Sequence, residues 1–317
     1  MLNRHGVPVL PPTNIKETDM ISRKARLSAA SALSAVVIAS TAAGMAHAAT
    51  IQRSHGFAVD CQFSHTASVD PIVMPGMTGM SHQHEFLGNS STDENSTGDT
   101  LLAASTTCND PNDLSSYWVP SLLWNGTRVQ PVAMHVNYKA GPGQVTAFPA
   151  GFKAVTGRTD TTAAWGCATP GTPPVMGTSV GTVPTCSAGQ HLVARIIFGS
   201  CWDGTSLDSA NHASHLVAAV SGACPSDHAV VVPQVSLDVN YPAYVTGGSA
   251  VTLSSGAAST LHGDIFEAWV GDSLSARLTA PAPTGTQGPT PRPRPSGAPV
   301  PSGTPQPHGP RPAATSS

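Results

Sequence analysis

Short apolar runs of period two occupy the middle of the chain, and long helical stripes are missing from it. Pro131 to Tyr138 places Val132, Met134, Val136 and Tyr138 on one face and His135 and Asn137 on the other, the alternation of a half-buried strand. Val235 to Val239 alternates in the same way. Leu192 to Phe198 and Ala229 to Pro233 are further strand candidates, rich in Val, Ile and aromatic residues. Gly, Pro, Ser, Thr and Asn interrupt these runs every few residues, and no repeat of fixed period supports a solenoid or propeller. The pattern predicts a mainly β fold: a single β-sandwich or jelly-roll-like domain with long loops.

The two ends do not follow this pattern. From Met20 the order is a basic stretch with Arg23, Lys24 and Arg26, an uncharged run from Leu27 to Ala43, and then Ala46-His47-Ala48. That is the layout of an export signal, so residues 1–48 are expected to be a leader and secretory signal peptide that leaves no membrane span after cleavage near Ala49. Residues 49–279 form the expected core domain. Residues 280–317 are dominated by Pro, Gly, Ser and Thr, cannot offset the entropy of ordering, and are expected to be a disordered tail. Within it, Pro291 to Pro295 favours an extended, semi-rigid spacer.

Charge narrows the function classes. Residues 49–279 carry 7 Lys and Arg against 16 Asp and Glu, which argues against a nucleic-acid partner. All six cysteines lie in this core, and an even number behind an export signal predicts disulfides. Six cysteines permit fifteen connectivities, among which the sequence alone does not choose; pairing of chain neighbours, Cys61 with Cys108, Cys167 with Cys186 and Cys201 with Cys224, closes the shortest loops, each worth about 3–4 kcal/mol of unfolded-state entropy. No C-x-x-C pair supports a cysteine-zinc site.

Histidine is the unusual component, with ten of the 13 between Ala49 and Thr279. His82 and His84 share a face if they lie on a strand. Asp208, His212 and His215 share one if their segment is helical. His262-Gly263-Asp264 is a third contributor. Imidazoles serve both as metal ligands and as proton-transfer groups. His82, His84, His212 and His215 are therefore candidate ligands of a divalent metal, and the same four with Asp208 are candidate catalytic groups, expected to converge in one polar pocket. The competing reading has these histidines bonded to backbone groups left unpaired by irregular loops. Tyr117 and Trp118 are candidate sugar-stacking contacts, whereas Trp165 and Trp202, beside Cys167 and Cys201, read as core packing.

Taken together, Asp60-Cys61-Gln62-Phe63-Ser64-His65, Asp70-Pro71-Ile72-Val73, Ser81-His82-Gln83-His84-Glu85-Phe86-Leu87-Gly88-Asn89, Tyr117-Trp118-Val119-Pro120, Trp165-Gly166-Cys167, Cys201-Trp202-Asp203-Gly204, His212-Ala213-Ser214-His215 and Cys224-Pro225 resemble the DUF1996 family of secreted actinobacterial and fungal proteins. The resemblance runs from about Phe57 to Trp269 and implies an extracellular or cell-wall setting. With Leu207-Asp208-Ser209, which belongs to the same set, it also places His65, His82, His84, Asp203, Asp208, His212 and His215 inside family motifs. One departure is that Glu267-Ala268-Trp269 stands where relatives often read Asn-Gly-Trp.

These features predict a secreted carbohydrate-active or wall-associated protein with a His/Asp site, with or without a divalent metal. The partner would be a cell-wall or extracellular polysaccharide, and a histidine or aspartate would act as general base. The alternative is a noncatalytic wall- or sugar-binding module with structural histidines. A third reading, a copper brace at an N-terminal His47, requires cleavage after Ala46 and fits the A-x-A rule less well. No G-x-S-x-G elbow, P-loop or dinucleotide fingerprint is present.

Overall fold

The computed structural model describes residues 56–141 and 144–280; the expected leader and signal peptide, His47 and the expected tail beyond Ala280 lie outside them. Ten strands join in one sheet, in the order Lys153–Gly157, His262–Phe266, Ser116–Pro120, His84–Gly88, Phe57–Ala67, Ala133–Lys139, Gln234–Asn240, His191–Ile197, Ala163–Ala168 and Val175–Met176. Every pairing is antiparallel. The predicted strands are present as Ala133–Lys139, His191–Ile197, Val230–Val231 and Gln234–Asn240. Val132 is the exception to the expected alternation: pairing with Asn240 ends at Ala133, and the Val132 side chain is 53% exposed.

The central strand makes the sheet a sandwich. Phe57 to Gln62 pairs with Ala133–Lys139, whereas Phe63 to Ala67 pairs with His84–Gly88, and the register shifts between Phe63 and His65. Such an irregularity bends a strand and raises its twist. The two halves thereby face each other. Tyr117 and Tyr138, from opposite halves, bring their hydroxyls within 2.7 Å. A Cβ on Gly263 would lie 3.2 Å from Leu237 and 3.3 Å from Ile196, so the bare backbone permits this close approach. Leu87, Val119, Leu122, Val136, Ile196, Leu237 and Ile265 fill the interior between the halves.

In the first half, His84–Gly88, Ser116–Pro120 and His262–Phe266 are buried at every position. Strands read this way only when both faces are covered. One face meets the interior. The other is covered by the loops that flank His84–Gly88, whose Val69, Ile72, Leu101 and Leu114 pack on Phe86, Trp118 and Phe266. The short helix Gly98–Leu102 in this cover begins at Thr97, whose hydroxyl accepts from the Thr100 N–H.

The three disulfides are Cys61–Cys108, Cys167–Cys186 and Cys201–Cys224, as chain-neighbour pairing predicts. Cys61–Cys108 ties the central strand to the covering segment. Cys201–Cys224 anchors a small sheet in which Cys201–Trp202 lies between Leu216–Val217 and Val230–Val231. No helix among the described residues is long and apolar enough to cross a membrane.

Candidate metal centre

The covered face of the first half holds the polar cluster. His82 lies two residues ahead of His84, just outside the strand, and its ring meets that of His84 with centroids 4.2 Å apart. His84 pairs with Pro120, and Asp264 pairs with Trp118, a register that sets His84 and His262 level on either side of Pro120. The His262 ring centroid is 5.1 Å from that of His82 and 6.0 Å from that of His84. One ring nitrogen of each histidine lies within 4.8 Å of the other two.

Hydrogen bonding leaves the right atoms available. His84 Nδ1 is 3.0 Å from the Val69 carbonyl, and His262 Nδ1 is 2.8 Å from the Thr260 carbonyl. A carbonyl only accepts, so both Nδ1 atoms carry the proton and both Nε2 atoms keep a lone pair. This is the arrangement by which an outer partner fixes a metal-ligating histidine. The Nε2 atoms of His82 and His84 are buried and have no hydrogen-bond partner in the protein. Burial lowers the pKa of all three imidazoles, to about 4 for His262 and well below the usual value for His84. The Arg158 charge adds to this for His82 and His262. The three rings are therefore neutral, as ligands must be.

Two carboxyls share the site. Asp264 follows His262 by two positions on the same face, and both its oxygens are buried without a partner. Burial raises its pKa well above the usual range, and the neighbouring Asp70 adds to the effect. Asp70 Oδ1 accepts from the Ile72 and Val73 N–H groups, each at 2.9 Å, yet burial still raises its pKa. A cavity of about 280 Å³ opens here, with His82, His262, Asp70, Asp264 and Arg158 on its walls. A second grouping, Cys61, Cys108 and Asp113, offers no metal site because both sulfurs are in a disulfide.

The other predicted site residues are not part of this triad. Asp208, His212 and His215 do not line this cavity and are not members of the histidine triad. Their segment is not helical: His212 has φ of 58°, outside the α-helical region, so the shared helical face is not formed. A turn instead brings His212 Nδ1 to 2.9 Å from Asp208 Oδ1. His215 uses both ring nitrogens, one with Ser209 Oγ at 2.9 Å and one with the Lys153 carbonyl at 2.7 Å, so neither is left for an ion. The His212 carbonyl accepts from the Val155 N–H, which fastens this loop to the sheet edge.

Tyr117 and Trp118 are not a sugar platform, because both are fully buried. Tyr117 points into the sandwich, and Trp118 packs on Phe86 with ring centroids 5.4 Å apart. A Tyr-Trp pair between turn residues does not reveal that both faces of its strand are covered. Trp165 and Trp202 pack in the core, as expected. Asp70 and Arg158 escaped sequence reasoning, since neither has a histidine beside it.

Glu267 lies on the opposite face from Asp264, inside the sandwich. Its oxygens accept from the Tyr138 hydroxyl at 3.0 and 3.1 Å and from Ser115 Oγ at 3.4 Å. Tyr117 donates to Asp113 at 2.8 Å and completes a buried network. Burial raises Glu267 to about 8 and Asp113 to about 7. The departure at Glu267 thus alters the interior and not the histidine pocket.

Searches of curated proteins and of solved structures return no match to this chain. A family model described as "Domain of unknown function (DUF1996)" matches residues 70–269, a span that holds Asp70, every histidine of the triad and Asp264. On that match, which covers more than half of its length, the chain belongs to the DUF1996 family.

Proposed function

We propose that this is a secreted, metal-dependent enzyme acting on an extracellular polysaccharide, with His82, His84 and His262 as the metal ligands. The observation that carries the reading is the triad itself: three neutral imidazoles whose nitrogens converge, two of them buried and unpartnered. An all-nitrogen set beside carboxyls suits zinc or another borderline divalent ion better than calcium or magnesium. A bound divalent metal would supply Lewis acidity or an activated water. The protein's own groups do the rest. Val69 and Thr260 hold the rings of His84 and His262 in orientation through their carbonyls. Asp264, with no partner of its own, is placed to take or return a proton at its carboxyl. The three disulfides suit an oxidising, extracellular setting.

A second reading rests on a different surface. A concavity of about 1140 Å³ on the outer face of the other half is lined by Asp60, His135 and Arg195 together with Phe57, Pro173 and Ile197, a mixed polar and apolar surface suited to glycan binding without turnover.

Metal analysis of native protein purified without chelator tests the first reading, followed by a polysaccharide panel. The expected result is about one divalent ion per chain, lost in His262→Ala, with turnover abolished by chelation. Removing an ion present at 100 times its dissociation constant withdraws about 2.7 kcal/mol, a fall in Tm of about 5–10 °C for a domain of this size. Substoichiometric metal under replete conditions refutes the centre, and glycan binding without turnover by the loaded protein selects the second reading.

A further inference from the structure

Arg158 lines the same pocket and is neither a metal ligand nor a partner of the carboxyls there. It directly follows Gly157, which pairs with His262, and its N–H donates to the Leu261 carbonyl at 2.7 Å. Its backbone has φ of 65°, a left-handed conformation that a non-glycine residue holds only at a cost and that gathers at functional sites. The side chain is exposed at the wall of the cavity. Among the described residues its guanidinium makes no hydrogen bond or ion pair, although Asp70 and Asp264 line the same cavity. The fork is held beside the histidines with its donors free.

We infer that Arg158 recognises an anionic group of the substrate, and that the polysaccharide entering this pocket carries carboxylates, as a uronic-acid-containing glycan does. The inference deepens the reading proposed above and rests on the same pocket. A guanidinium matches a carboxylate with two parallel N–H···O bonds, a geometry that a neutral sugar hydroxyl does not complete. Arg158 is the one Lys or Arg among the residues that line the cavity, so a single carboxylate is matched there, whereas a dianionic phosphate keeps an uncompensated charge. The volume of about 280 Å³ admits a single sugar unit rather than a length of chain. Val73 and Met80, 46% and 66% exposed, supply an apolar wall for the C–H face of that unit. Carboxylate on Arg158, ring on the Val73 and Met80 wall, and scissile region toward His82 and His262 is the orientation these groups impose.

Binding of a defined oligogalacturonate, a neutral gluco-oligosaccharide and inorganic phosphate to the full, metal-replete protein and to Arg158→Gln tests this by calorimetry. Metal content and Tm are measured on the same samples. The expected result is binding of the oligogalacturonate over the neutral oligosaccharide, weakened about tenfold or more in Arg158→Gln at unchanged metal content and Tm. Arg158→Lys should restore little, since a point charge does not replace the fork. Equal binding by Arg158→Gln, or no preference for the acidic oligomer, overturns the inference while leaving the metal centre standing. Binding of phosphate alone overturns the carboxylate assignment. Arginine-dependent oligogalacturonate binding by a protein that holds no metal supports the inference and sinks the metal centre instead.

Discussion

Glu267→Gln should gain stability over the parent protein as pH rises. Glu267 is 1% exposed and faces Asp113, Ser115, Tyr138 and Trp269, with no cation among the groups that bond it. Its carboxyl titrates at about 8 in the fold against 4.5 for an ordinary glutamate. Between those values the folded state binds more protons than the unfolded one, so stability is full below the lower value and falls as pH rises toward the higher. From pH 5 to pH 7 this single group withdraws roughly 2–3 kcal/mol. A glutamine of the same shape still accepts from the Tyr138 hydroxyl and has no charge to bury. Asp113, raised to about 7, contributes a slope of the same sign in both proteins, while the buried histidines contribute the opposite sign below their ordinary value. The difference between variant and parent isolates Glu267. Calorimetric melts of both at pH 5, 6 and 7 should show the variant gaining about 5–10 °C on the parent across that range. Curves that remain parallel would show that Glu267 is ionised in the fold and that burial is not what governs it.

Gly157→Ala should be strongly destabilising, since a Cβ there would lie 2.5 Å from both His262 Cα and the Leu261 carbonyl, at φ of 125°. A loss of at least about 1–3 kcal/mol is expected, read as a lower denaturation midpoint together with reduced metal uptake; an unchanged midpoint would contradict the tight pairing of this strand with His262. Thiol titration in denaturant without reductant should find no free thiol, because all six cysteines are paired. A stoichiometric free thiol would refute the covalent frame.

The fold class was legible because strand signals are local. Alternation at Met134, Val136 and Tyr138 and at Val235, Leu237 and Val239 reports one buried face per strand, and those residues do point inward. The presence of disulfides was legible from an even cysteine count, whereas the choice of the chain-neighbour pairing among fifteen connectivities belongs to the structure. Local reasoning erred where a segment is buried on both faces or held by a turn. Tyr117 and Trp118 read as accessible aromatics because the covering loops come from other parts of the chain. Asp208 and His212 do meet, through a left-handed turn at His212 and not through a helix.

By itself, then, the sequence determined a β fold, the presence of disulfides and an unusual set of histidines, since periodicity and composition are properties of neighbouring residues. Which histidines share a centre was decided only by tertiary structure. His82 and His84 were within reach of several partners, and the sheet order that puts His262–Phe266 beside Ser116–Pro120, and that strand beside His84–Gly88, selected His262 over His212 and His215. That order rests on long-range strand pairing and on the burial of two faces at once, and neither is written in the spacing of any one segment.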